Sequence, residues 1–303
     1  TLSSSSAASD VYKRQVHGLG FSLFSTMGLT LASLISSEDE LTETLGRYTL
    51  LIALGLVFGP AFGAISISLL GQYRTFILSS FIAFSGVLLS SFLGRRGIRR
   101  DSTQLETVRL RAVPQVLTSR PFQRAFLAYF AFAFMWGVVL GYVPVRAQQD
   151  FQIIEAQITL LFFGYFLVLV SSRFFVGRLV GRFGEERVLT TGLLAGGVFT
   201  LLVSVTVNPI HFSIAFVLLG VSHGIIFPTS AMIIAKNVLP KNLVLANSLY
   251  LVSFDSGAMI GPLIASGVAS LWGIRSALVV SAIPLFLNIP LSKLEKRTEL
   301  IDD

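Results

Sequence analysis

An all-α polytopic membrane protein is the fold class this sequence predicts, and three observations predict it. Of the 303 residues, 53% are hydrophobic and only 13% are charged, about half the charge that a water-facing surface needs. The mean hydropathy is +0.77. The apolar residues lie in long uncharged runs, as in membrane helices, and not in short alternating segments, as in a membrane β-barrel. A soluble enzyme, a disordered tail and a coiled coil are excluded on these grounds. The chain has no Cys, which removes disulfide frameworks and thiolate metal sites.

Residues 1–15, TLSSSSAASDVYKRQ, differ in texture from all that follows. The stretch Asp10–Gln15 resembles the translation of a transposase adapter used in sequencing libraries, and such a scar is set aside from fold reasoning. Native sequence is then expected from Val16. Runs free of Asp, Glu, Lys and Arg mark the spans in order: Val16–Ser37, Tyr48–Tyr73, Thr75–Gly94, Ala125–Val145 and Ala156–Ser172. Val188–Ala235 is long enough for two helices, and Asn208-Pro209 breaks it near the middle. Asn242–Ile274 is interrupted only by Asp255, and Ser276–Ser292 closes the series. Nine transmembrane helices are expected.

Lys and Arg resist translocation and so set the orientation. With the basic linker 95–124 in the cytoplasm, 18 of these residues fall inside and only Arg74, Arg146 and Arg275 outside, Lys13 and Arg14 being omitted. The net charge of +7 is therefore topological, and nucleic acid is not an expected partner. The C-terminus is expected in the cytoplasm.

The two sides of the linker repeat one another. His17-Gly18-Leu19-Gly20-Phe21 in span one matches His223-Gly224-Ile225-Ile226-Phe227 in span seven. Gly55-x3-Gly59-Pro60 in span two matches Gly257-x3-Gly261-Pro262 in span eight. Repeated halves are a common way to build a transporter. Glycines so spaced strip one helix face of side chains and let a neighbouring backbone approach, and the proline bends its helix.

The pattern Gly46-x8-Gly55-x3-Gly59-Pro60-x2-Gly63 resembles the fifth-helix "antiporter" motif of the major facilitator superfamily, with Ala64 where that motif ends in a second Gly. The resemblance implies twelve helices in two halves. The spans present would be helices 4 to 12: residues 16–94 the remainder of the N-terminal half, 95–124 a cytoplasmic linker, and 125–303 the C-terminal half with a short tail. It also implies proton-coupled export. Gly177, Arg178, Arg182 and Gly184, followed by Arg187, are similar to the family's cytoplasmic gate motif, in which arginines latch the two halves together. Gly181 replaces its usual Asp, and a basic turn obeying the charge rule is the competing reading.

An ionisable group deep in a membrane span marks function by default. Asp255 is the one acid inside a predicted core span, where desolvation favours the protonated form. His223 is expected at similar depth on the preceding span, and together they are candidates for proton coupling or for holding a cationic substrate group. A structural carboxylate and a packing histidine are the alternatives. Tyr142 and Tyr165 are candidates for the cavity wall, Tyr142 also for an interfacial anchor, and Arg173 for snorkelling or gate pairing. No phosphate loop or metal-ligand cluster is present, so no enzyme activity, cofactor or metal is expected. The expected whole is a monomeric, multi-pass protein of a bacterial cytoplasmic membrane, moving a small organic molecule or drug outward against protons by alternating access. Uptake or sugar and metabolite transport by the same fold, and a membrane sensor that binds without transporting, remain the rivals.

Overall fold

The computed structural model describes residues 41–95, 112–239 and 242–289, together with Gly20, Phe24, Met27, Gly28, Leu31 and Ala32. Most of the predicted first span, including His17, lies outside the described residues, as do the adapter-like stretch, much of the linker and the C-terminal tail. Eight helices follow in order: α1 (Leu41–Leu70), α2 (Gln72–Arg95), α3 (Val113–Thr118), α4 (Arg120–Phe151), α5 (Glu155–Phe183), α6 (Glu185–Val205), α7 (Pro209–Asn237) and α8 (Leu243–Leu287). All except the short α3 are long and apolar enough to cross a membrane. The described residues contain no strand.

Local chemistry sets the boundaries. Gly71 and Gly184 take positive φ, both +80°, and turn the chain between α1 and α2 and between α5 and α6 at no Cβ cost. Asn208 caps α7 by accepting hydrogen bonds from the amides of Ile210 and His211, with Pro209 in the first turn. The break expected at Asn208-Pro209 is thus a complete helix start. Helix α8 has 45 residues, about 68 Å at 1.5 Å per residue, twice a bilayer core of about 30 Å. Gly273, with φ 82° and ψ 170°, interrupts it, so two helical segments meet there, close to the division expected at Arg275. Serine hydroxyls inside the spans bond back to carbonyls of their own helix, as Ser79 does to Thr75 and Ser253 to Tyr250.

Close backbone contact assembles α4 to α8 into one bundle. Helix α4 packs chiefly on α8, while α5 and α6 both pack on α7. A Cβ at Gly257 would lie 2.5 Å from the Phe130 carbonyl oxygen, and one at Gly261 would collide with that of Phe134. From the other side, a Cβ on Gly137 would lie 2.5 Å from the Ala258 carbonyl. Gly220 and Gly224 of α7 meet the backbone of α5 at Tyr165 and Leu169 in the same way. The glycine of the second His-Gly-x-x-Phe sequence is therefore a packing residue. Around Gly46, Gly55, Gly59 and Gly63 of α1 the outcome differs: a Cβ there would meet nothing within 4 Å among the described residues. Helix α1 runs without a break through Pro60.

Two clusters of charge tie the ends of the bundle. At one, Arg124 (4% exposed) donates to Glu186 at 2.8 Å and to the Asn288 carbonyl at 2.9 Å, joining α4, α6 and the end of α8. Lys236 pairs with Glu185 beside it. At the other end, Arg146 (1% exposed) donates to Asp150 at 3.1 Å and to the Thr206 carbonyl at 2.6 Å, between Phe151 and Phe212. Arg275 pairs with the same Asp150 at 2.9 Å. Two of the three arginines that break the charge rule are therefore neutralised by one carboxylate.

Gly261→Leu should prevent α8 from docking on α4. Overpacking usually costs about 1–3 kcal/mol, and more is expected here because the opposing atom is backbone. The loss is read as a lower melting temperature or a loss of monodisperse protein in detergent, whereas Gly63→Leu should leave both unchanged.

Candidate central site

Helix α4 presents Tyr129, Phe132 and Trp136 at helical spacings of three and four, one above another on a single face. All three are buried. Trp136 stacks on Tyr165 of α5, with centroids 4.7 Å apart and 14° between planes. The Tyr165 hydroxyl lies 2.9 Å from His223 Nδ1 on α7, a fully buried hydrogen bond. Phe132 packs against the same imidazole at 4.6 Å. One layer along, Tyr129 stacks on Tyr250 of α8 at 4.5 Å and 20°, and contacts Phe227 and Phe254. The Tyr250 hydroxyl donates to the Phe227 carbonyl at 3.1 Å. Arg173 of α5 reaches into this layer, with its guanidinium 5.3 Å from the Phe227 ring centre and one Nη donating to the Thr49 carbonyl of α1. The result is an aromatic column with two polar features, a Tyr–His pair and a guanidinium, held by four helices of the bundle and touched by α1.

The structure brings two of the predicted residues together and separates the others. Tyr165 and His223 are hydrogen-bonded. Asp255 is not the buried carboxylate that its position suggested, for its side chain is exposed. It makes no hydrogen bond or ion pair with a described residue. The reason is angular: Gly257, two residues on, faces α4, and at about 100° per residue Asp255 points roughly 200° away from that seam. It is not bonded to His223, which faces inward. Tyr142 is half-buried on α4 and packs on the hydrophobic core.

The gate-like residues are surface residues here. Gly177, Arg178, Arg182, Gly184 and Arg187 are all exposed. The three arginines form no ion pair with described residues, and Arg182 rests on its neighbour Phe183 at 5.2 Å. The ion pairs near this turn are Arg124 with Glu186 and Lys236 with Glu185. Among the described residues, no group of three His, Asp or Glu side chains is placed to hold a metal.

Sequence reasoning missed Tyr129, Tyr250 and the inward course of Arg173. A signal existed: six of the seven Tyr in the chain lie within or at the ends of the apolar spans, where a hydroxyl needs a partner, and among them are Tyr129, Tyr165 and Tyr250. These three converge on this column.

The sequence model of the Major Facilitator Superfamily matches residues 14–145 and 125–299. Over 135 residues the chain is 30% identical to the multidrug resistance protein MdtG of Erwinia billingiae, covering 42% of this chain and 32% of that protein. The chain thus spans about a third of the length of that relative. Among solved structures, the E. coli fucose:proton symporter FucP superposes with a TM-score of 0.73 at 15% identity, over 89% of this chain and 73% of that one. The human organic anion transporter MFSD10 superposes with a TM-score of 0.68 at 18% identity, over 88% and 66%. At these identities the two structures establish a shared fold.

Tyr165→Phe keeps the ring stack on Trp136 and leaves His223 Nδ1 without its partner. A buried polar group so stranded costs about 1–3 kcal/mol. The melting temperature should fall accordingly, and His223→Phe combined with Tyr165→Phe should recover part of the loss.

Proposed function

Because the chain belongs to the Major Facilitator Superfamily, a family of transporters and not of enzymes, we propose that it acts as a proton-coupled exporter of a small organic molecule or drug. Residues 16–94 and 125–303 would be its two halves and 95–124 the cytoplasmic linker between them. The observation that carries this reading is Asp255, an acid inside an apolar span, exposed on α8 and unpaired with any described residue. A carboxylate so placed is free to take up and release a proton during transport. It lies on the face of α8 that α4 leaves uncovered, and transport requires such a group to be reached from each side in turn. The adjoining aromatic column, rigid and mostly apolar with a few hydroxyls, supplies a wall suited to organic solutes. The name of the relative from Erwinia billingiae, a multidrug resistance protein, favours export over uptake, and that of FucP, a proton symporter, is in keeping with proton coupling. The Tyr165–His223 pair stiffens the wall between α5 and α7. The setting is a bacterial cytoplasmic membrane, with a monomer as the working unit.

The test is efflux of a fluorescent drug, norfloxacin, from cells lacking their main exporters and expressing the chain. Asp255→Asn should abolish the dependence of efflux on the pH gradient and lower its rate at least tenfold. Unchanged, gradient-dependent efflux in that variant would refute the assignment, and accumulation instead of efflux would favour an importer. A sensor would show binding without flux.

Orientation is tested separately, and the absence of Cys makes the chain a clean background for it. A membrane-impermeant maleimide should label Ser102→Cys only in inside-out vesicles and Gln149→Cys only in intact spheroplasts.

A further inference from the structure

Arg173 lies ten residues before the end of α5 at Phe183, about 15 Å along the helix at 1.5 Å per residue, well within a hydrocarbon core. Its side chain does not snorkel toward that end. One Nη is committed to the Thr49 carbonyl and the flat face lies on Phe227. Nε is buried and has no hydrogen-bond partner, and Nη2 bonds to no described residue. Nε and Nη2 form the side-on edge of a guanidinium, whose two parallel N–H groups match the two oxygens of a carboxylate or phosphate. Tyr129, Tyr165 and Tyr250 stand within electrostatic range of this cation; they offer hydroxyls but no negative charge. The ion pairs among the described residues use other arginines and Lys236. A guanidinium held in an apolar interior without a counter-anion is costly, and here the vacant edge is the one shaped for an oxyanion.

A second feature lies on the same seam. An apolar pocket of about 230 Å³ between α1 and α5 is lined by Val57 and Ala61 on one side and by α5 residues from Ala156 to Phe166 on the other, Phe163 among them. Phe166 precedes Arg173 by seven residues, two helical turns or about 10 Å, and so falls on nearly the same face of α5. Thr49, Ala53, Val57 and Ala61 continue the opposite wall on α1 at steps of four. Charge at one end and an apolar slot at the other, one behind the other along a single interface, define the chemistry of a ligand.

We propose that the vacant Nε/Nη2 edge of Arg173 binds the oxyanion head of an amphiphilic organic anion whose apolar body occupies the pocket between α1 and α5. The inference rests on the transporter reading only in making this anion a substrate; the site itself is defined by binding. Asp255, on α8, is left free for the proton, so that anion and proton have separate seats.

Two probes with the same tail and opposite heads test it: decanoate and decyltrimethylammonium, measured by equilibrium dialysis with the full chain in phosphatidylcholine nanodiscs. The wild-type protein should bind decanoate at least tenfold more tightly than the cation. Arg173→Gln should lose that preference and leave cation binding unchanged. Arg173→Lys keeps the charge without the planar edge and should retain only part of the preference, which serves as the test if the Gln variant does not fold. Ala61→Trp fills the pocket and should weaken both probes. Equal binding of the two probes by the wild type, or an undiminished preference in both Arg173 variants, would overturn the proposal. Competition of decanoate by phosphatidylglycerol added to the nanodiscs would assign the site to a lipid headgroup; its absence would assign it to a free solute. Loss of drug efflux with intact decanoate binding would refute the transport reading alone.

Discussion

Everything in the bundle depends on how closely α8 can approach α4. In lipid there is no hydrophobic gain from bringing two apolar helices together, so association relies on dense packing and on satisfied polar groups. Gly257 and Gly261 bring the α8 backbone against the carbonyls of Phe130 and Phe134, and Gly137 answers from α4 against Ala258. That approach places Tyr250 over Tyr129 at stacking distance. The parallel device on α7, Gly220 and Gly224 against α5, sets His223 within hydrogen-bonding reach of Tyr165. The polar and aromatic features of the site are therefore consequences of glycine spacing. Enlarging one of these glycines shifts a helix, and with it every side chain the helix carries into the column.

Charge performs a different task at each depth. At the ends of the bundle, Arg124 and Arg146 are almost wholly buried and each is held by a carboxylate and a backbone carbonyl, and they fasten helices to one another. Breaking such a pair leaves a stranded buried ion, which is far more damaging than the pair is stabilising. Deeper in, Asp255 has no counter-ion among the described residues and Arg173 has one edge unsatisfied. Structural charges are the paired ones. Two of the charges without a described ion-pair partner, Asp255 and Arg173, lie beside the column, where the proposed proton and anion would complete them.

Much of this was legible from the residues alone. Runs without charge located the apolar helices among the described residues, because ionised side chains are costly in lipid, and Asn208-Pro209 marked a helix start through side-chain capping. The Gly-x3-Gly step in α8 announced close packing and the structure realises it. The same step in α1 did not reveal its partner, since spacing says that a face is bare but not what covers it. Asp255 was read as buried from its depth and is exposed, because a one-dimensional reading fixes height along a helix and leaves the azimuth open. Arg124 and Arg146 read as topological charges, and Arg173 as a snorkelling one, for want of the distant groups they reach: Asn288, Thr206 and Thr49.

By itself, then, the sequence determined the solvent and the helical class, which follow from composition and the long uncharged runs, and it pointed to the family through a resemblance carried by the Gly46–Gly63 motif. Only the tertiary structure decided which side of each helix faces its neighbours. That choice arises from contacts between residues far apart in the chain, such as Gly261 with Phe134 and Arg124 with Asn288. It is what turned His223 inward onto Tyr165, left Asp255 on the open face, and brought Arg173 to an apolar seam with one edge free.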